Sequence, residues 1–135
     1  MKYNIKKLVR HEDVDKGGIL KSNIFFMWVY NEIIKHAESI SGSKCLIRYI
    51  SKVDIVNPAK KDDILEVKIT SKSIGKSSLS FEASVISAKD DSTFLTIKNI
   101  IAVSVDSDLK SKKHEIESAE NSFIPYTWVK YDTEK

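Results

Sequence analysis

The segment from Ile24 to Tyr30 restricts the fold of this chain more than any other. It reads I-F-F-M-W-V-Y, so on a helix it is apolar on every face and is predicted to be buried all round. From Asn31 the pattern turns amphipathic, with Ile33, Ala37 and Ile40 on the apolar side and Glu32, Lys35, His36 and Glu38 on the side predicted to face water. A helix that is wrapped along its first half and half-solvated along its second requires a curved sheet around it.

The flanking residues predict where this helix begins and ends. A loop over residues 10–21, with Gly17-Gly18 as its turn, precedes it. Ser22 or Asn23 suits the N-cap position, where a short polar side chain accepts a hydrogen bond from a free amide. We expect the helix to run to about Ile40 and to stop at Ser41-Gly42.

Period-two alternation predicts strands on both sides of the helix. Tyr3 to Val9 is predicted to be an edge strand, and Cys45 to Val56 a strand with an irregularity near Ile50-Ser51. Three further alternating segments begin near Leu65, Leu79 and Leu95, and the last continues to Val105. We therefore expect an α+β domain, an antiparallel sheet of about five strands wrapped around one long central helix, with the four strands after the helix in a meander.

Composition excludes several classes of protein. A chain of 135 residues is one domain, and its formal charge of +3 comes from scattered basic residues, which predicts no nucleic-acid partner. Cys45 is the only cysteine, so no intrachain disulfide forms and a reducing cytoplasm is expected. We expect no signal peptide and no membrane span, because no apolar run approaches the required length.

The C-terminal part differs from the rest. Residues 1–106 are predicted to form the domain, and residues 107–122 form a solvated Lys-, Ser- and Glu-rich linker. The tail from Phe123 to Tyr131 reads F-I-P-Y-T-W-V-K-Y, and so many aromatic residues predict docking on the domain or on a neighbouring subunit.

The loop before the helix carries the strongest chemical signal. Asp15 lies close to a helix N-terminus, which offers unpaired amides and a partial positive charge. A carboxylate beside such donors suits acyl transfer, where an oxyanion is stabilised and a nucleophile or water is activated. Asp13 is predicted to hold the loop through its own backbone contacts.

Three segments resemble the hot-dog-fold acyl-CoA thioesterases of the 4-hydroxybenzoyl-CoA thioesterase type. The family pattern D-x-D-x-x-G, followed by the central helix, is filled here by Asp13, Asp15 and Gly18. The likeness continues in D-I-V-N-P-A-K-K-D-D-I-L-E-V from Asp54 to Val67 and in S-I-G-K-S-S-L-S-F-E from Ser73 to Glu82. It implies a hot-dog fold, thioester hydrolysis without metal or redox cofactor, and a dimer or dimer of dimers with active sites at the dimer interface.

The resemblance also assigns roles to single residues. Asp15 matches the catalytic carboxylate, as nucleophile or general base, and the backbone amide at Ser22 matches the donor to the thioester carbonyl. His11 is a candidate for orienting Asp15 or contacting substrate, and Asn23, Lys76 and Ser77 are candidate contacts to substrate or coenzyme A. The chain carries Lys21-Ser22 where many relatives have an aromatic residue and a histidine.

The same residues allow other interpretations. Glu32 is an alternative acid, because other hot-dog branches place the catalytic carboxylate on the helix, although pairing with Lys35 or His36 is the simpler expectation. The acidic loop lacks the wrapped pattern of a calcium site, so no metal is predicted. The resemblance implies an acyl-CoA substrate. The alternatives are a thioester on an acyl carrier protein as substrate, or a protein that binds an acyl thioester without hydrolysing it.

Overall fold

A computed structural model of the chain describes residues 2–111 and has the predicted α+β architecture. The elements in order are β1 (Lys2–Leu8), a short 3-10 helix (His11–Asp13), α1 (Ser22–Ser41), β2 (Cys45–Ile55), β3 (Ile64–Ile74), β4 (Ser78–Ser87) and β5 (Thr93–Ser104). The five strands form one antiparallel sheet, and α1 packs on one face of it.

The order of the strands corrects the predicted meander. The sheet runs β1-β3-β4-β5-β2, so only β3, β4 and β5 pair in chain order. Instead of pairing with β3, β2 crosses to the opposite edge and pairs with β5. The two edge strands are therefore β1, which precedes the helix, and β2, which comes directly after it.

The helix ends confirm one predicted cap and correct the other. Gly42 takes the left-handed conformation, with φ of 71°, and its amide donates to the Glu38 carbonyl as expected of a helix stop. At the other end the N-cap is Lys21, and Ser22 is already the first helical residue. The prediction of a Ser22 or Asn23 cap is wrong, and Lys21 makes no side-chain cap hydrogen bond.

The core lies between one stripe of α1 and the inner face of the sheet. The buried apolar side chains of the helix recur every three or four residues: Phe25, Val29, Ile33, Ala37 and Ile40. They pack on apolar residues that alternate along β3, β4 and β5. The alternation in β5 changes phase at its middle, because Lys98 and Asn99 together lie opposite the single residue Glu82. Leu95 and Ile97 face the core before this bulge, and Ile100 and Ala102 after it.

The predicted burial of the helix start is wrong for this chain taken alone. Phe26, Met27 and Tyr30 are 38%, 50% and 44% exposed. One five-stranded sheet covers only one side of a helix, so the remaining apolar side chains of the first half stay in contact with solvent.

The predicted wet face of the helix is wrong at two positions. Glu32 and His36 are buried, at 2% and 0% exposure, whereas Lys35 is exposed as expected. The physical reason is β1, whose inner face places Tyr3 and Lys7 against this side of α1.

The predicted linker and aromatic tail fall mostly beyond this structure. The predicted docking of Phe123 to Tyr131 lies outside the described residues. Within residues 2–111, no helix has both the length and the apolar content needed to cross a membrane.

Candidate functional site

The loop that precedes α1 is a small closed hairpin with Asp15 near its tip. Its base is closed by the Lys21 amide, which donates to the Asp13 carbonyl at 3.0 Å, and Val14 and Leu20 form an antiparallel bridge above it. The Asp15 amide then donates to the Ile19 carbonyl at 2.8 Å. Asp15 is thus carried by a short ladder whose base adjoins the first turn of the helix.

One oxygen of the Asp15 carboxylate accepts hydrogen bonds from the loop, and the other is available to a substrate. Its Oδ1 accepts hydrogen bonds from the amides of Gly17 and Ile19, at 2.8 Å and 3.0 Å. None of the hydrogen bonds formed within residues 2–111 uses its other oxygen, Oδ2, and the side chain is exposed. The carboxylate is therefore oriented by its own loop while one oxygen faces solvent.

Asp13 holds the loop, as predicted. It is 4% exposed, and its Oδ2 accepts from the Arg10 amide at 2.9 Å and from Arg10 Nε at 3.3 Å. These contacts fix the 3-10 turn that leads into the hairpin.

The hairpin is anchored on the segment between β2 and β3. The Leu20 amide donates to the Ala59 carbonyl at 2.8 Å, and the Lys61 amide donates to the Gly18 carbonyl at 3.2 Å. Ile19 and Lys60 form an antiparallel bridge between them. Asp15 therefore has a defined position relative to the sheet as well as to the helix.

The start of α1 presents amide groups for which residues 2–111 supply no hydrogen-bond acceptor. The first helical hydrogen bond runs from the Phe25 amide to the Lys21 carbonyl at 3.0 Å, so the amides of Ser22, Asn23 and Ile24 precede the intrahelical ladder. Lys21 does not cap them with its side chain, and Ser22 and Asn23 are exposed. These amides carry the positive end of the helix dipole.

His11 lies at the same end of the molecule but is not among the hydrogen-bonding partners of the Asp15 carboxylate within residues 2–111. It is exposed in the 3-10 turn, and its carbonyl accepts from the Val14 amide at 3.5 Å. The structure thus brings His11, Asp15, Ser22 and Asn23 to one end without a side-chain hydrogen bond joining them.

Lys76 and Ser77 lie at the opposite end. They occupy the turn between β3 and β4, whereas the Asp15 hairpin contacts the segment that leads into β3. β3 has 11 residues, and a strand of that length spans about 35 Å. Within one chain, Lys76 and Ser77 therefore do not join Asp15 in a single site.

An apolar surface extends from the helix start along β2. Ile50, Val53 and Ile55 pair directly with Ile100, Ile97 and Leu95. Directly paired residues point to the same face of a sheet, so all three face the helix side. They are nonetheless 42%, 39% and 57% exposed, and Phe26, Met27 and Tyr30 of α1 are also partly exposed. We call these six residues the edge surface.

Glu32 belongs to a polar cluster whose burial the sequence pattern did not predict, although its predicted pairing with Lys35 is confirmed. Tyr3 Oη donates to its Oε1 at 2.7 Å, and its Oε2 lies 3.8 Å from both Lys7 Nζ and Lys35 Nζ. His36 stacks on Tyr3 with ring centroids 5.1 Å apart. The signal was present as the i, i+4 spacing of Glu32 and His36, which places both on one face of the helix.

Cys45 is buried and packs between two serine hydroxyl groups. Its Sγ lies 3.3 Å from Ser41 Oγ and 3.9 Å from Ser104 Oγ. Burial raises the pKa of this thiol, and the hydrogen bonds with the two serines oppose that rise only in part. A buried thiol with a raised pKa is a poor nucleophile.

Comparison with solved structures places the chain among proteins of one fold. A hexameric acyl-CoA thioesterase in its apo form superposes with a TM-score of 0.76 at 18% identity, over 97% of this chain and 89% of that chain. An acyl-CoA hydrolase from Staphylococcus aureus, solved with butyryl coenzyme A, coenzyme A and coenzyme A disulfide, gives 0.74 at 15% identity, over 96% and 82%. A 1,4-dihydroxy-2-naphthoyl-CoA thioesterase from Synechocystis gives 0.63 at 16% identity, over 84% and 89%.

These similarities show the fold, which is the hot-dog fold predicted from the sequence. No protein-family model and no curated protein matches the chain.

Proposed function

We propose that this protein is an acyl-CoA thioesterase. The observation that carries the proposal is the Asp15 carboxylate, held by its own hairpin with Oδ2 facing solvent, next to a helix start with open amides. The hot-dog fold, which the chain shares with proteins that hydrolyse acyl-CoA, supports it. Thioester hydrolysis needs a group that attacks or activates water and donors that bind an oxyanion, and both stand at this end of the molecule.

Each residue has a stated role in the proposed reaction. Asp15 Oδ2 attacks the thioester carbonyl to give an acyl anhydride that water then hydrolyses, or it takes a proton from the attacking water. By either route the C–S bond breaks and the thiol of the carrier leaves, while the Gly17 and Ile19 amides orient the carboxylate. The amides of Ser22 and Asn23 bind the carbonyl oxygen as it becomes an oxyanion. His11, which is exposed beside the loop, contacts the substrate. The reaction requires no metal or redox cofactor.

A second copy of the chain completes the proposed site. Lys76 and Ser77 lie about 35 Å along β3 from the Asp15 end, too far to act with it within one chain. We propose that the edge surface joins two copies and that Lys76 and Ser77 of one copy contact the coenzyme A bound near Asp15 of the other. Several structural relatives are described as hexameric. For this chain we propose a dimer as the basic unit and a dimer of dimers as the assembly.

The substrate class rests on the resemblance to the 4-hydroxybenzoyl-CoA thioesterase type and remains part of the proposal. A related alternative is a thioester carried by an acyl carrier protein, because the reacting carbonyl is the same. In either case the edge surface supplies apolar side chains for an acyl group. A cytoplasmic location is proposed from the single cysteine.

One observation favours a second candidate function. Asp15 Oδ1 already accepts two loop amides, which is also what a purely structural turn residue does. The second candidate is therefore a protein that binds acyl thioesters without hydrolysing them.

The test is a hydrolysis screen with a panel of aliphatic and aromatic acyl-CoA esters and acyl-carrier thioesters. We expect hydrolysis of at least one class by the parent protein. Asp15→Asn keeps an oxygen that can accept from the loop amides but removes the charge, so kcat should fall by about 10²–10⁴-fold with the fold intact.

A matched control is Asp54→Asn, which neutralises an exposed aspartate on β2. Asp54 pairs with Thr96 on the face of the sheet away from the helix. The Asp54→Asn variant should therefore hydrolyse the esters at the rate of the parent protein. An Asp15→Asn rate within a factor of two of the parent would remove Asp15 from the chemistry. Binding of the esters without any turnover would support the non-catalytic candidate.

A further inference from the structure

The face of the sheet opposite α1 carries an apolar patch where β2 meets β5. Leu46 pairs directly with Val103, and Tyr49 pairs with Ile101. Their neighbours Cys45 and Ile50 lie on the core side, so these two pairs point outward. We call Leu46, Tyr49, Ile101, Val103, Val105 and Leu109 the outer patch. Leu46, Tyr49 and Leu109 remain 36%, 51% and 57% exposed.

Two concavities lie on the outer patch, one after the other along the strands. One, of about 300 Å³, is lined by Leu46, Arg48, Val103, Val105, Leu109 and Ser111. The other, of about 440 Å³, is lined by Tyr49, Ile101, Ser73, Ser80, Lys72 and Asn99. The two outward pairs are successive along β2 and β5, so the two concavities are neighbours on this face. We call them together the groove, with an apolar end at Leu46 and a polar end at Tyr49.

The chain itself runs into the apolar end of this groove. After Val105 a tight turn is closed by the Asp106 amide, which donates to the Lys110 carbonyl at 2.9 Å, and by Asp106 Oδ1, which accepts from the Lys110 amide at 3.0 Å. Ser111 then forms an antiparallel bridge with Val105. At Ser111 the chain therefore runs antiparallel to the end of β5 and lines the apolar end of the groove.

The sequence beyond Ser111 matches this surface in length and composition. Residues 112–122, the second part of the predicted linker, are mostly polar, and Phe123, Tyr126, Trp128 and Tyr131 come after them within nine residues. The linker from Ser111 to Phe123 reaches up to about 40 Å when extended. The groove from Val105 to Asn99 needs only about 20 Å along β5, so the aromatic segment has ample reach.

We propose that the segment Phe123–Tyr131 binds the outer patch of its own chain. Its aromatic side chains cover Leu46, Tyr49 and Ile101, and their polar tips meet the hydroxyl, amide and ammonium groups at the polar end of the groove. This inference does not depend on the proposed thioesterase activity. It also gives the two exposed apolar regions different partners. The tail binds the outer patch, and a second copy of the chain binds the edge surface.

The test uses Trp128 as a reporter within the full-length chain. Trp28 and Trp128 are the two tryptophans, so Trp28→Phe leaves Trp128 as the single fluorophore. In that background we expect blue-shifted emission and weak quenching by acrylamide. Adding Leu46→Asp should place a charge under the segment, shift the emission to the red and raise the quenching constant severalfold.

The matched control is Leu8→Asp. Leu8 is also an exposed leucine, at 53%, but it lies on β1 at the other edge of the sheet. It should leave Trp128 unchanged. The complementary Trp128→Phe background reports on Trp28, and unchanged Trp28 emission with Leu46→Asp would show that the domain stays folded.

Each of four results would overturn the proposal. The first is acrylamide quenching of Trp128 in Trp28→Phe that is as strong without urea as in urea. The second is release of Trp128 by Ile55→Asp in the edge surface with no response to Leu46→Asp. The third is protection that appears only at concentrations where light scattering shows assembly, since a second copy would then supply the segment. Deleting residues 120–135 should also lower the melting temperature, and an unchanged value would contradict the docking.

Discussion

The hydroxyl group of Tyr3 donates a 2.7 Å hydrogen bond to the carboxylate of Glu32, which joins β1 to the middle of α1. Both side chains are essentially excluded from solvent, at 0% and 2% exposure. Lys7 and Lys35 approach the other carboxylate oxygen from the rim, and His36 stacks on the Tyr3 ring. Edge strand β1 is therefore fastened to the helix by a polar cluster as well as by apolar packing.

Tyr3→Phe should lower the free energy of unfolding by about 1–3 kcal/mol, because it leaves a buried carboxylate without its hydroxyl donor. Urea unfolding measures the change. Tyr49→Phe removes a hydroxyl from an exposed tyrosine and should change stability by less than about 0.5 kcal/mol. Combining Tyr3→Phe with Glu32→Gln should cost less than the sum of the two changes; strict additivity would mean that the hydrogen bond contributes nothing.

Gly18→Ala should destabilise the Asp15 hairpin by about 1 kcal/mol, because Gly18 has a φ of +81° that an L side chain adopts only with strain. The space around it is open, so backbone conformation alone sets the cost. Gly17→Ala is the control, since its φ is ordinary and its new Cβ would meet Asp15 Oδ1 at 3.4 Å, a normal contact. Thermal unfolding of the two variants tests this, and an equal loss would contradict the conformational argument.

The protein should assemble in solution through the edge surface, because six partly exposed apolar residues on β2 and α1 are costly to leave in water. Light scattering at micromolar concentration should give a mass well above the 15.3 kDa of one chain. Ile55→Lys should reduce that mass, whereas Leu8→Lys on the opposite edge strand should not. A parent protein that is monomeric would refute the proposed composite site.

Cys45 should resist alkylation in the folded protein and react after unfolding, because burial raises the pKa of its thiol. The folded state favours the protonated form. The resulting stabilisation is present below the ordinary thiol pKa of 9.0 and is lost as pH rises through the folded-state pKa. Mass spectrometry after iodoacetamide treatment at pH 8, with and without urea, measures the difference. Rapid labelling without urea would show that the thiol is accessible.

Local chemistry made much of the fold predictable. The helix from Ser22 to Ser41, its stop at Gly42, the strands and the hot-dog fold were predictable from side-chain periodicity, glycine positions and three family-like segments. The holding role of Asp13 is equally local, because its partner Arg10 is three residues away. The catalytic role of Asp15 is a proposal, which the hydrolysis rate of Asp15→Asn tests.

Apart from the helix N-cap, which was misplaced by one or two residues, the misplaced features depend on residues far apart in the chain. The sequence around β2 specifies a strand but not its neighbour, and the pairing with β5 depends on how the sheet closes over the helix. Glu32 and His36 are polar and were predicted to face water, yet β1, some thirty residues earlier, supplies the Tyr3 hydroxyl and ring that make their burial tolerable. Likewise, Lys76 and Ser77 look like partners of Asp15 by resemblance, but the length of β3 separates them within one chain. Periodicity and capping are decided within a few residues, whereas strand order, burial of polar groups and convergence of side chains are decided only when distant segments pack together.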